Sequence, residues 1–310
     1  MNKVHASNGR VGLILAGGMG TRLLPLTRVT NKQLLPVYDK PMIYYPLSTL
    51  MLSGVREFVI VSSPAAIGQF EDCLGDGADW GLRIDYAVQP RPEGIAQVFL
   101  VAEKFIEGRS SVLILGDNIF YGGGLVDQLA RANKRAHGAT IFPYYVADPR
   151  ALGVVELDAA TSRPVALHEK PKEFKSNWAV PGLYYYDEYA LTIARDLKPS
   201  ARGELEITDL NRVYLERGAL EAEILSRGVA WLDGGTHEDL FAASQLIQAL
   251  ETRTGLKVAC PEEVAYRMGY IDLDQLGALA ERYGASSYAD YLRTIVRLEQ
   301  NVAPHPRNSG

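Results

Sequence analysis

The chain has 310 residues but little cysteine, little histidine and no excess of positive charge. Each shortage excludes a class. Its two cysteines, Cys73 and Cys260, stand far apart and form no CxxC pair. A disulfide framework is excluded by count, and a thiolate zinc site has no ligand set. Both are expected to be small apolar residues of a reduced protein. Among the five histidines, His137, His168 and His237 show neither metal-ligand spacing nor a paired nucleophile. Lysine and arginine total 32 against 37 aspartates and glutamates, a net charge of -5. No nucleic acid is expected as partner, since that binding calls for a basic face. No apolar run approaches the ~18 residues of a membrane span, so no membrane is expected either. Met1 to Arg10 is polar and lacks the apolar centre of a signal peptide. The compartment expected from these readings is cytoplasmic.

What is present begins with an apolar run that feeds into glycines, Leu13-Ile14-Leu15-Ala16-Gly17-Gly18-Met19-Gly20-Thr21-Arg22-Leu23. The run reads as a buried strand, and the glycines as its sharp turn. Lacking Cβ atoms, such a turn lets backbone N–H groups approach an anion, and Arg22 adds a forked, permanent charge. Grip on a polyphosphate competes here with a plain strand-to-loop turn. It is not a P-loop, because no lysine follows the glycines. Nor is it a dinucleotide fingerprint, because Leu23 occupies the third small position.

Apolar runs at Val11–Ala16, Phe58–Ser62, Ile84–Val88 and Val112–Leu115 read as strands. Between them Met42–Ser53, Ile67–Leu74 and Ile95–Ile106 read as helices, with Gly54 and Gly108 as stops. The alternation predicts an α/β fold with a Rossmann-like, mixed but mainly parallel sheet flanked by helices. Ligands on such sheets lie beyond the carboxyl ends of the strands. The second half reads as a β-rich part, with strands at Ala139–Val146, Gly153–Leu157, Val165–Glu169, Ala179–Tyr186 and Glu221–Leu225. Thr208 reads as the N-cap of a helix Asp209–Arg217, and from Thr236 the pattern is helical to Gln300. The domain reading is one α/β unit over 1–240, in two parts, about 11–146 and about 147–235. A helical region over 241–310 packs on it.

Several polar residues stand where chemistry would sit. Asp117 follows a buried strand, and Asp233 repeats the apolar–aspartate–glycine arrangement in Leu232-Asp233-Gly234-Gly235. Two such carboxylates suit Mg²⁺, which takes oxygen ligands; taken singly each is an ordinary turn aspartate. Lys32 and Lys170 are further cations, Glu169 can accept several hydrogen bonds, and Gln89 can read a pyrimidine edge. Taken singly these are solvated surface residues.

Together these segments resemble the sugar-nucleotidyltransferase family, in its thymidylyl branch. The matching stretches are Leu15–Gly18 with Gly20–Leu23, Lys32–Pro36, Asp39–Pro46, Leu115–Gly122, Glu169–Pro171, Ser200–Asp209, and Gly255–Val258 with Pro261–Glu263. They run from about Val11 to Tyr291. The resemblance implies transfer of a thymidylyl group from dTTP to glucose 1-phosphate, with Mg²⁺, in a homotetramer. It also implies roles. Leu15, Gly17, Gly18, Gly20 and Thr21 hold the nucleotide, while Arg22 and Lys32 bind the triphosphate. Gln89 and Gly94 contact thymine, and Asp117 and Asp233 hold the metal. Gly153, Glu169 and Val180 contact the sugar, and Lys170 orients its phosphate. Four positions depart from the family pattern: Met19, where serine is common, Gly234 (threonine), Leu152 (tyrosine) and His168 (glutamate). The last two bear on the sugar. The same chemistry with UTP or another sugar phosphate, and a non-catalytic sugar-nucleotide-binding protein, are the alternatives. An oxidoreductase is disfavoured by Leu23.

Overall fold

The computed structural model describes residues 9–18 and 20–301; Met19, the one unmatched residue of the glycine turn, lies outside them. Strand β1 (Val11–Ala16) carries six residues without a charge, and a strand bonded on both sides needs apolar groups on both faces. Its neighbours satisfy that. A short hairpin, β2 (Pro36–Val37) and β3 (Lys40–Pro41), precedes helix α1 (Tyr44–Leu52). Next come β4 (Glu57–Ser62), α2 (Ile67–Leu74) and β5 (Arg83–Val88). The expected helix Ile95–Ile106 is two short ones, α3 (Gln97–Val101) and α4 (Glu103–Ile106), before β6 (Ser111–Leu115).

Beyond β6 the sequence reading needs correction. Asn118–Gly122 is a strand, β7, and Leu125–Lys134 is a helix, α5; neither was anticipated. The expected strand Ala139–Val146 is two, β8 (Ala139–Ile141) and β9 (Tyr144–Tyr145), in different sheets. After β10 (Gly153–Leu157) and β11 (Pro164–Glu169), the expected strand Ala179–Tyr186 likewise divides into β12 (Trp178–Ala179) and β13 (Leu183–Tyr186). Pro143 and Pro181 stand at the two breaks, and a proline has no N–H for a ladder. Helix α6 (Ala190–Asp196) precedes α7 (Ile207–Glu216), whose N-cap is Glu206 and not Thr208. The short strand β14 (Leu220–Ala222) ends the main sheet, and β15 (Val229–Asp233) pairs with β7. Helices α8 (His237–Thr254), α9 (Pro261–Arg267), α10 (Leu273–Arg282) and α11 (Ser287–Asn301) complete the described chain.

The main sheet has seven strands in the order β14-β8-β13-β6-β1-β4-β5. Its β6-β1-β4-β5 half is parallel, as the alternation requires, and β13 inserts antiparallel to both β6 and β8. Strand alternation then sorts the core. Ile14, Ile60 and Ile114 point to one face and join α1 and the C-terminal helices, where Cys260 is buried. Leu13, Val59 and Leu113 point to the other face and join α3, α6 and α7. A second sheet has the order β11-β10-β12-β9, and its Gly153, Val154, Leu167 and Glu169 share a cleft with Leu115 at the carboxyl end of β6. No helix among the described residues is long and apolar enough to cross a membrane.

Candidate active site

The glycine turn follows β1, at the carboxyl edge of the sheet. Ser62 Oγ (2.8 Å) and Asn31 Nδ2 (3.1 Å) both donate to the carbonyl of Ala16, which pins the exit from the strand. A Cβ on Gly17 would lie 2.0 Å from Oε1 of Gln89, so only glycine lets that buried amide lie across the turn. Gly18 faces open space, and Gly20 adopts a left-handed backbone at φ 58. Thr21 and Arg22 then enter a short 3₁₀ turn and are exposed. Leu15, partly buried in β1, accepts through its carbonyl from the N–H of Gly116, which brings Asp117 beside the turn.

Lys32 opens a further 3₁₀ turn, whose N-cap Asn31 accepts from the N–H of Gln33. The lysine is buried, and its Nζ stands 2.5 Å from Oδ2 of Asp117. Asn118 Nδ2 donates to the other carboxylate oxygen at 2.9 Å. Oδ1 of Asn118 in turn accepts from the Gly182 N–H (3.0 Å) and from Trp231 Nε1 (2.8 Å). The sequence gives no local sign of a role for Asn118, although it lies within Leu115–Gly122. Its role depends on partners 64 and 113 residues away.

Asp233 arrives from β15, where it sits opposite Asn118 in the antiparallel register. The Gly234 N–H donates to the Asp117 carbonyl at 3.1 Å and closes the pair. Burial, then the charge of Asp117, push the Asp233 carboxyl up to about 6, against the pull of Lys32 and Arg22. A Cβ on Gly235 would lie 3.1 Å from an Nη of Arg22 and 3.3 Å from Oδ1 of Asp233, so the guanidinium and this carboxylate flank one glycine. At Gly234 a Cβ would lie 2.6 Å from the Met42 methyl, the far end of a flexible side chain.

The residues expected to meet the sugar converge as well. A Cβ on Gly153 would lie 3.6 Å from Thr208 Oγ1, 3.7 Å from Glu169 Oε2 and 4.0 Å from Val180 Cβ. Glu169 accepts from Thr208 Oγ1 (2.5 Å) and from Arg202 (3.1 Å). Thr208, expected as a helix cap, is instead a partner of this carboxylate. Lys170 has φ 44 and donates its N–H to the Leu152 carbonyl at 3.0 Å. His168, read as lying near the sugar, points to the opposite face of β11 and pairs with Glu156 at 2.6 Å. Neighbouring residues of a strand alternate in direction, so Glu169 and His168 cannot share a face. Leu152 does face the site.

One cleft of about 640 Å³ joins these groups. Arg22, Asp117 and Asp233 line one side, and Gly153, Glu169, Lys170 and Val180 the other. Leu15, Gly17, Gly18, Gly20, Thr21, Lys32, Gln89 and Gly94 are not among its lining residues. Gly94 has φ 104, and a Cβ there would lie 2.3 Å from the Leu205 carbonyl oxygen. The bonds Leu205 N–H to Glu93 and Ala96 N–H to Leu205 tie that loop to the segment before α7.

A family model described as nucleotidyl transferase matches residues 11–249. The chain belongs to the nucleotidyl transferase family. Among curated proteins, this transferase is 53% identical over 288 residues to the glucose-1-phosphate thymidylyltransferase of Xanthomonas campestris pv. campestris, covering 93% of this chain and 97% of that one. It is 51% identical to the enzyme of the same name from Neisseria meningitidis, covering 92% and 99%. Among solved structures it resembles a putative glucose-1-phosphate thymidylyltransferase from Bacillus anthracis in complex with a sucrose. That match has a TM-score of 0.69 at 40% identity and covers 76% of this chain and 94% of that one. A UDP-glucose pyrophosphorylase, at 23% identity and a TM-score of 0.70, shares the fold. Members of the family generally use a divalent metal. The mainly parallel sheet flanked by helices, expected from the alternation of runs, is the fold observed.

Proposed function

We propose that the chain transfers a thymidylyl group from dTTP to glucose 1-phosphate, giving dTDP-glucose and pyrophosphate. The observation that carries this reading is the match, over more than nine-tenths of both chains, to relatives bearing that activity as their name. The cleft supports it chemically, because cations stand on both sides of a paired carboxylate.

A phosphate oxygen of glucose 1-phosphate attacks the α-phosphorus of dTTP in line, and the bond to the bridging oxygen of pyrophosphate breaks. The nucleophile is an anion at neutral pH, so no general base is required. What the site supplies is approach and charge stabilisation. Arg22 and Lys32 take the triphosphate, and Lys170 takes the sugar phosphate. Gly153, Glu169 and Val180 hold the sugar; Gln89 and Gly94 take the base, with Leu15, Gly17, Gly18, Gly20 and Thr21 beneath the nucleotide.

Asp117 and Asp233 fit Mg²⁺. Their carboxyls are close enough for one to raise the other, and a cation between them relieves that. Among the described residues no group of three or more His, Cys, Asp or Glu forms a complete cage. That suits an ion which keeps waters and phosphate oxygens as its remaining ligands. When bound there, Mg²⁺ would supply charge neutralisation between the two phosphates.

The same reading keeps the α/β unit over 1–240, the helical region after it, a homotetramer and a cytoplasmic location. The test offers the pure protein Mg²⁺, each nucleoside triphosphate and a panel of sugar 1-phosphates. Pyrophosphate release and product mass are followed together. Release with dTTP and glucose 1-phosphate is expected, and no release with any pairing overturns the reading.

A further inference from the structure

An amide side chain at a base-reading position can be presented in two senses, and the sense decides which pyrimidine it fits. Thymine and uracil offer an N–H donor at N3 beside a carbonyl acceptor. Cytosine offers the reverse, an acceptor at N3 beside an amino donor. Gln89 reads the first pair only if its Oε1 faces N3 and an Nε2 hydrogen faces the carbonyl. A rotation of 180° about the last side-chain bond would read the second pair instead.

In this structure that rotation is blocked from behind. Gln89 is buried, and its Nε2 donates to Oε1 of Gln97 at 2.7 Å. Gln97 is buried too, and both ends of its amide are determined by Glu93. The Glu93 N–H donates to the same Oε1 at 3.1 Å, and the Glu93 carboxylate accepts from Gln97 Nε2 at 2.8 Å. A backbone N–H can only donate and a carboxylate can only accept, so Gln97 has one permitted orientation. With Gln97 fixed, Gln89 must turn Nε2 toward it. Oε1 of Gln89 is then left over the glycine turn, 2.0 Å from where a Cβ on Gly17 would stand, and nothing among the described residues donates to it. The backbone is fixed as well, since the Gln89 N–H donates to the Ser62 carbonyl at 2.7 Å. Glu93 is further held by Arg91 at 3.3 Å.

We propose that Glu93 and Gln97 are positioning residues that fix the sense of the Gln89 amide and so select thymine or uracil over cytosine. Neither touches the base; they act through Gln89. The inference rests on the proposed transfer reaction, in which Gln89 meets the base.

The experiment measures kcat/KM with dTTP and with dCTP for the wild type, Gln97→Met and the double exchange Glu93→Gln/Gln97→Glu. Gln97→Met keeps the volume and removes the bond to Gln89 and both bonds to Glu93, so Gln89 can turn. The ratio of dTTP to dCTP efficiency is expected to fall by about tenfold or more, since discrimination of this kind depends on unpaired polar groups in the wrong complex. The double exchange puts a carboxylate behind Gln89 and an amide behind that carboxylate. Gln89 then keeps its sense, and the ratio is expected to remain within about threefold of wild type. A merely structural role would lower both efficiencies together in Gln97→Met and leave their ratio unmoved; that outcome overturns the inference. A wild type that uses dTTP and dCTP equally also overturns it. A wild type inactive with every nucleotide overturns the transfer reaction itself, which separates the two failures.

Discussion

Asp233 lies opposite Asn118 across the β7–β15 pair, and this places its carboxyl beside that of Asp117. The two aspartates are 116 residues apart in the chain, and a two-stranded sheet is what joins them. Lys32 completes the group from a third segment, through its 2.5 Å contact with Asp117.

Removing the charge of Asp233 is expected to stabilise the metal-free protein while abolishing its use of metal. Burial and Asp117 raise this carboxyl from 3.8 to about 6. The folded state therefore binds its proton more tightly than the unfolded state does. The resulting destabilisation is fully present above about pH 6 and is relieved as pH falls toward 4. In EDTA at pH 8, Asp233→Asn is expected to unfold later than wild type by about 1–3 kcal/mol. The difference should shrink steadily on acidification, and an equal or lower stability of the variant at pH 8 would contradict the assignment.

Asp117→Asn keeps the size of the side chain and removes one charge from the pair with Lys32. Turnover is expected to fall by roughly 10²–10³, the usual effect of losing one electrostatic stabiliser. Near-normal kcat at saturating Mg²⁺ would remove Asp117 from the metal site.

Gly17 and Gly18 stand side by side, yet alanine should act on them differently. At Gly17 the new methyl meets the buried Gln89 amide, whereas at Gly18 nothing lies within 4 Å. Gly17→Ala is expected to cost about 1–3 kcal/mol of stability without nucleotide, as overpacking does. Gly18→Ala should melt with the wild type in the same scan. Equal melting of both variants would count against the position of Gln89.

Thr208 and Arg202 hold the Glu169 carboxylate, and the proposed reaction gives that carboxylate the sugar as its partner. Glu169→Gln is expected to raise the KM for glucose 1-phosphate by about 10- to 100-fold, the range for a hydrogen bond to a charged group. The KM for dTTP should stay unchanged. A shift confined to dTTP would place Glu169 on the wrong side of the cleft.

The parallel half of the sheet was legible because its strands are short apolar runs bounded by turns, a local pattern. The errors fall where local pattern is silent. Asn118–Gly122 carries no strand expectation from the sequence, and it becomes a strand because Val229–Asp233 lies against it. The runs around Pro143 and Pro181 look continuous, but each is cut at a residue that cannot donate to a ladder. Thr208 carries a capping side chain, yet the nearby Glu169 carboxylate takes its hydroxyl.

By itself the sequence determined the residue types of the site and the strand ends on which several of them sit: the glycine turn, two aspartates, two lysines and Glu169. It did so because backbone freedom, charge and strand periodicity are properties of neighbouring residues. Only the tertiary structure decided which of them meet. Asp117 reaches Asp233 through a pairing of distant strands, and His168 is turned away from the cleft by the register of β11. Gln89 takes its sense from Gln97 and Glu93 because hydrogen-bond direction is settled by partners in space.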